Sequence, residues 1–169
     1  HVSALRMKSF ANSMANSANK IVLLCETQNP TDAVKTVSQV GDELASHDWS
    51  QPYILACRPE PTWLLRRARE GNLVSGLRQV VLASSYLFRS GVYSDWLRGT
   101  LPYFPLLSQT FRPDIVWGTF GNTDAWNIAR RLAALSGCSW VADMKDNWSA
   151  FMPTGLVRIM AGRYRDAAH

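Results

Sequence analysis

The residues best suited to chemistry stand together late in the chain, in Asp143-Met144-Lys145-Asp146-Asn147-Trp148. Asp143, Lys145 and Asp146 form its densest charged cluster at a predicted strand end. Carboxylates in such a place accept hydrogen bonds from ligand hydroxyls, while Lys145 offsets their charge or contacts a phosphate. The alternative is a solvated loop with an internal salt bridge, which adds little to stability. Trp148 either stacks its flat face on a ligand ring or covers the edge of the sheet. A second candidate is Gly121-Asn122-Thr123, where backbone N–H groups at a helix start would face an anion.

A strand–helix–strand unit is needed to hold these groups, and the spacing predicts one. Pro113 and Asp114 punctuate its start, and Ile115 to Phe120 is a short run of β-forming residues. Asn122 or Thr123 caps the next element, with Asp124 in its first turn, where the helix dipole favours an anion. Ala125, Ile128, Ala129, Leu132 and Leu135 recur at helical spacing, and Gly137 stands where a helix stops. Trp140 to Met144 is the second strand. About thirty residues is the length of a right-handed crossover, so the sheet is expected to be parallel. Ligands of such sheets collect beyond the carboxyl ends of the strands, which places both candidate clusters at the same edge.

Earlier in the chain, 1–19 reads as an amphipathic helix with Ala4, Met7, Ala11, Met14 and Ala18 on one face. Lys20 to Glu26 reads as a strand buried on both faces. Thr31 or Asp32 is the expected cap of a helix whose weak apolar stripe is Val34, Val37, Gly41, Leu44 and Ala45. Tyr53 to Cys57 is a further strand, and Trp63 to Glu70 a helix ended by Gly71. Val74, Leu77, Val81, Ser84 and Phe88, widened by Leu73, Val80 and Leu87, predict a longer and well-buried helix. Asp95 to Gln109 is expected to be helical with interruptions near Pro102 and Pro105. A last helix opens at Pro153 and Thr154.

At 169 residues, 47% hydrophobic and 18% charged, the chain has the composition of one globular domain. No run approaches the roughly 20 apolar residues of a membrane-spanning helix. Cys25, Cys57 and Cys138 match no metal spacing and suit reduced core thiols of a cytosolic protein. No dinucleotide fingerprint, Walker loop or Ser-His-Asp arrangement is present, and the aspartates lack the spacing and histidines of a catalytic metal site. The formal net charge is +5. Between Arg58 and Arg112 the arginines outnumber Glu60, Glu70 and Asp95 by that same excess. Aromatic residues interleave with them, so Arg66, Arg67 and Arg69 are candidates for contact with an anionic membrane surface. Solvated helix faces are the plainer explanation, and no nucleic-acid module is present.

Arg112-Pro-Asp-Ile-Val-Trp117, an alanine-rich helix, then Trp140-Val-Ala-Asp-Met-Lys-Asp-Asn-Trp148 resembles the amino-terminal domain of family 4 glycosyltransferases. That family commonly shows Pro-Asp-hydrophobic-Val before the helix and Trp-Val-x-Asp-aromatic-Arg-Asp-Pro-Trp after it. Asp143, Asp146 and Trp148 match, whereas Met144, Lys145 and Asn147 depart. Lys145 keeps the cation without the planar fork of arginine. The resemblance implies an α/β, Rossmann-like three-layer domain with a parallel sheet, the amino-terminal half of a GT-B fold. It also implies retaining transfer from a nucleotide-sugar donor to a glycan or lipid-linked acceptor, as in polysaccharide biosynthesis, without a metal. The donor would be held mainly by a carboxy-terminal domain, so residues 1–169 alone are expected to be inactive and without a cofactor of their own. Ser3-Ala4-Leu5-Arg6 is similar to the start of the family's first helix, which puts His1, Ser3 and Arg6 in the cleft and a first strand before His1. Acceptor contacts then fall to Asp143, Lys145, Asp146, Trp148, Gly121, Asn122, Thr123 and Arg6; no catalytic residue is assigned. The expected location is the cytoplasm or the inner face of the membrane, and a homo-oligomer is left open. The competing expectation is a non-catalytic, flavodoxin-like interaction or regulatory domain.

Overall fold

Short apolar strands alternate with helices along the chain, and parallel pairing follows from the crossovers those helices make. The computed structural model describes residues 2–17, 19–27, 33–88, 94–119 and 123–143. A first helix, α1 (Val2–Ala15), leads into β1 (Val22–Glu26), α2 (Val37–Ser46) and β2 (Tyr53–Cys57). β1 and β2 pair in parallel from Val22 with Tyr53 to Glu26 with Cys57.

Helix α2 begins where Thr36 and Gln39 form a reciprocal capping box. The Thr36 hydroxyl accepts from the Gln39 N–H at 3.2 Å, and the Gln39 side chain accepts from the Thr36 N–H at 2.8 Å. The expected caps Thr31 and Asp32 lie outside the described residues. This start leaves Val34 before the helix and Val37 at its first position, both exposed, while Val40 and Leu44 are buried. The apolar stripe read from the sequence therefore begins later.

Beyond β2 come α3 (Trp63–Arg69), capped by the Thr62 hydroxyl at Leu65 N, and α4 (Ser75–Phe88). Between them Gly71 has φ +75°, the left-handed region that glycine enters without a steric penalty. α4 corrects the sequence reading, because Val74 before its start and Leu77 and Val80 within it are exposed, and Val81 and Ser85 are buried. Ser75 to Val80 are exposed all round the helix, and the seven-residue α3 is half the length of its fourteen-residue neighbour.

The expected interrupted helix is a graded one. It passes from α5 (Ser94–Thr100) through a 3₁₀ turn (Leu101–Tyr103) and α6 (Phe104–Leu106) to a π turn (Leu107–Phe111). Pro102 and Pro105 fall in the first positions of their segments, where a missing N–H removes no needed hydrogen bond. The second unit is β3 (Ile115–Thr119), α7 (Thr123–Ser136) and β4 (Ser139–Asp143), its strands parallel from Ile115 with Ser139 to Thr119 with Asp143. Gly137, at φ +68°, lets Cys138 N–H turn back to Ala133 O at 3.1 Å and close α7.

Among the described residues the strands form two two-stranded parallel sheets, β1–β2 and β3–β4, rather than one ladder. They nevertheless share a core. Val40 and Leu44 of α2, Tyr53, Leu55 and Cys57 of β2, Leu97 of α5, Phe104, Leu107, and Ile128 and Leu132 of α7 form one cluster. Val22, Leu24 and Val116 pack against it. Side chains alternate across β3, so Trp117 and Thr119 point away from α7 toward α1. There Phe10 meets Trp117 at 5.1 Å between centroids, and Thr119 donates to the Met7 sulfur at 3.0 Å.

Candidate functional site

α1 and the carboxyl ends of β3 and β4 come together at one edge of the molecule. Packing of Phe10 on Trp117 lays α1 across β3 and carries Arg6 to the last residue of β4. An Arg6 terminal nitrogen donates to Asp143 Oδ2 at 2.9 Å. The Arg6 side chain is 57% exposed and that of Asp143 21%, so the pair stands at the surface, screened by water. Such a pair contributes little to stability, and its groups exchange partners at low cost. A guanidinium with five N–H donors beside a carboxylate acceptor can meet a ligand rich in hydroxyl or phosphate oxygens.

α7 is held by four contacts, three to the β3–β4 sheet and one to α5. Gly118 leaves room for the helix, since a Cβ there would stand 2.8 Å from Ala129 Cβ. The Trp126 indole donates to Gly118 O at 3.1 Å and meets Trp140 edge-on, with centroids 6.2 Å apart. Asp124, fully buried, accepts from the Leu97 N–H at 3.1 Å and so ties the start of α7 to α5.

The candidate residues divide by position. Arg6 and Asp143 are brought together, and Thr123 is the first residue of α7. His1, Gly121, Asn122, Lys145, Asp146 and Trp148 lie outside the described residues. Arg66, Arg67 and Arg69 belong to α3, where Arg66 and Arg67 are exposed. The sequence reading overlooked Met7 and Thr119 as neighbours of the Arg6–Asp143 pair. Alternation along β3 was the available signal for Thr119, two residues from Trp117 on the same face.

A second polar cluster surrounds the amino end of β2. Tyr53 and Lys35 both donate to Glu43 Oε2, each at 2.6 Å. These bonds hold the Glu43 carboxyl below its usual range, while burial and then the bond to Glu43 push the Tyr53 phenol up. His47 meets Tyr53 and Trp49 edge-on, and Trp49 stacks on Phe111. The cluster joins α2, β2 and the π turn.

Cys25, Cys57 and Cys138 are thiols, and burial followed by the proximity of Cys25 pushes Cys57 up to about 12. Among the described residues no group of three or more His, Cys, Asp or Glu is placed to hold a metal ion. Nor is any helix there long and apolar enough to cross a membrane. No protein-family model, curated protein or solved structure matches the chain.

Proposed function

We propose that the chain is the acceptor-binding, amino-terminal domain of a retaining glycosyltransferase with two Rossmann-like halves in a GT-B arrangement. The observation that carries this reading is the Arg6–Asp143 pair at the carboxyl ends of two parallel strands. Asp143 accepts hydrogen bonds from acceptor hydroxyls, and Arg6 holds that carboxylate in place or turns its remaining donors to an acceptor phosphate. Lys145, Asp146, Trp148 and Gly121-Asn122-Thr123 are proposed as further acceptor contacts on the strength of the sequence alone. The nucleotide-sugar donor is held mainly by the second half, and the work is done in the cytoplasm or at the inner membrane face.

The test is a transfer assay on the full-length gene product and on residues 1–169. Nucleotide sugars are offered with oligosaccharide and polyprenyl-phosphate-linked acceptors, and NMR reads the anomeric configuration of the product. Transfer with retention is expected from the full-length protein and none from residues 1–169. Arg6→Ala and Asp143→Asn each lower kcat/KM for the acceptor by about tenfold or more, with donor KM unchanged. Their stabilities change by less than about 1 kcal/mol, as befits an exposed pair. Turnover by residues 1–169 alone, inversion, or variants with undiminished acceptor use would overturn the reading.

A further inference from the structure

The α3–α4 helix pair exposes large apolar side chains that belong in a core by composition. Trp63 is 66% exposed, Val74 80%, Leu77 51% and Val80 61%. Val74, Leu77 and Val80 recur every three residues, so they form one stripe running from the residue before α4 into its second turn. Val81, four residues after Leu77 and seven after Val74, lies on the same side, so the exposed stripe ends where burial begins at Val81 and Ser85. Arg78 Nε donates to Ala68 O at 2.9 Å, which ties the start of α4 to α3 and holds the two helices as a unit. On α3 the Arg67 guanidinium lies over the Trp63 ring, 4.9 Å from its centroid, with Arg66 exposed beside it. Across 63–80 the charged residues are Arg66, Arg67, Arg69 and Arg78 against Glu70 alone.

We infer that this helix pair docks on an anionic phospholipid surface. Charge complementarity selects that occupant, because a protein partner for the apolar stripe would not require a surface so one-sidedly basic. Arginine and tryptophan are the side chains suited to the headgroup layer: the guanidinium binds lipid phosphate, and the indole sits at the boundary of the acyl chains. Val74, Leu77 and Val80 enter the acyl boundary, where burial removes them from water. The inference stands apart from the transferase reading, and its test uses no enzymatic activity.

Residues 1–169 are sedimented with vesicles of phosphatidylglycerol and phosphatidylcholine in equal parts, and with vesicles of phosphatidylcholine alone. Binding to the anionic vesicles, weakened by high salt, is expected. The double variant Arg66→Gln/Arg67→Gln weakens it about thirtyfold through the loss of two charges near the lipid surface. Leu77→Ser/Val80→Ser weakens it about tenfold or more by removing the apolar stripe. Both pairs are exposed, and circular dichroism checks that both variants stay folded. Brominated lipids quench part of the tryptophan fluorescence, and Trp63→Phe removes that part. Three results would overturn the inference: no binding to anionic vesicles, binding equal in all the variants, or self-association that Leu77→Ser/Val80→Ser disperses while lipid binding is absent.

Discussion

Tyr53 and Lys35 converge on one oxygen of Glu43, and the contact fixes how this residue responds to pH. The folded carboxyl ionises more readily than the usual 4.5, first through the Lys35 hydrogen bond and then through that of Tyr53. A depressed acid stabilises the fold fully above its unfolded value and loses that contribution as pH falls through the folded one. Glu43→Gln is therefore expected to be less stable than the parent at pH 7, with the gap closing below the usual value of 4.5. Urea unfolding across that range checks it; a gap independent of pH would reject the linkage. The Tyr53 phenol, raised by burial first, works in the opposite direction, contributing below its unfolded value of 10.0 and losing that contribution as pH climbs above it. The sequence marked Asp143 by its place at a strand end, and the resemblance named Arg6 for the same cleft. Their direct hydrogen bond was not legible, because it depends on the packing of α1 on β3 and joins residues 137 positions apart.

The strand–helix–strand units were legible because each carries its own signals: a β-forming run, helical spacing, and a glycine or cap at the boundary. Gly118 adds a constraint that spacing does not announce. A Cβ there would meet Ala129 Cβ at 2.8 Å and the Ala125 oxygen at 3.4 Å, so Gly118→Ala is expected to cost about 1–3 kcal/mol. Ala129→Gly reopens the space while costing about 1 kcal/mol as a helix glycine. The double variant is accordingly expected to be more stable than the sum of the two losses, as a double-mutant cycle of denaturation midpoints would read. Strict additivity would mean that the two positions do not meet. Gly99 is the sharper case, because a Cβ there would run into the Arg58 carbonyl oxygen, which is backbone. The start of α2 was misread for a local reason: Thr36 and Gln39 begin the helix later than Thr31 or Asp32 would, which leaves Val34 outside it. The exposure of α4 was misread for a tertiary one. Apolar periodicity reports that a face exists and says nothing about whether a neighbour is long enough to cover it.

At the scale of the whole molecule, two small sheets depend on one shared core, and Asp124 joins the second unit to α5. Losing a buried hydrogen-bond acceptor, with its donor left unpaired, costs about 2 kcal/mol. Asp124→Ala is thus expected to lower the urea midpoint by about that amount while fluorescence and circular dichroism still change together. Two separated transitions would show that the sheets unfold independently. Sequence alone determined the order of the elements, the parallel sense within each unit and the edge at which Asp143 lies. These follow from neighbours in the chain: periodicity, caps, and a crossover of the length that parallel return requires. Tertiary structure decided that the strands make two ladders, that Arg6 reaches Asp143, and that the α4 stripe faces outward. Each of these depends on what a distant segment does with its own apolar face, and no local spacing carries that information.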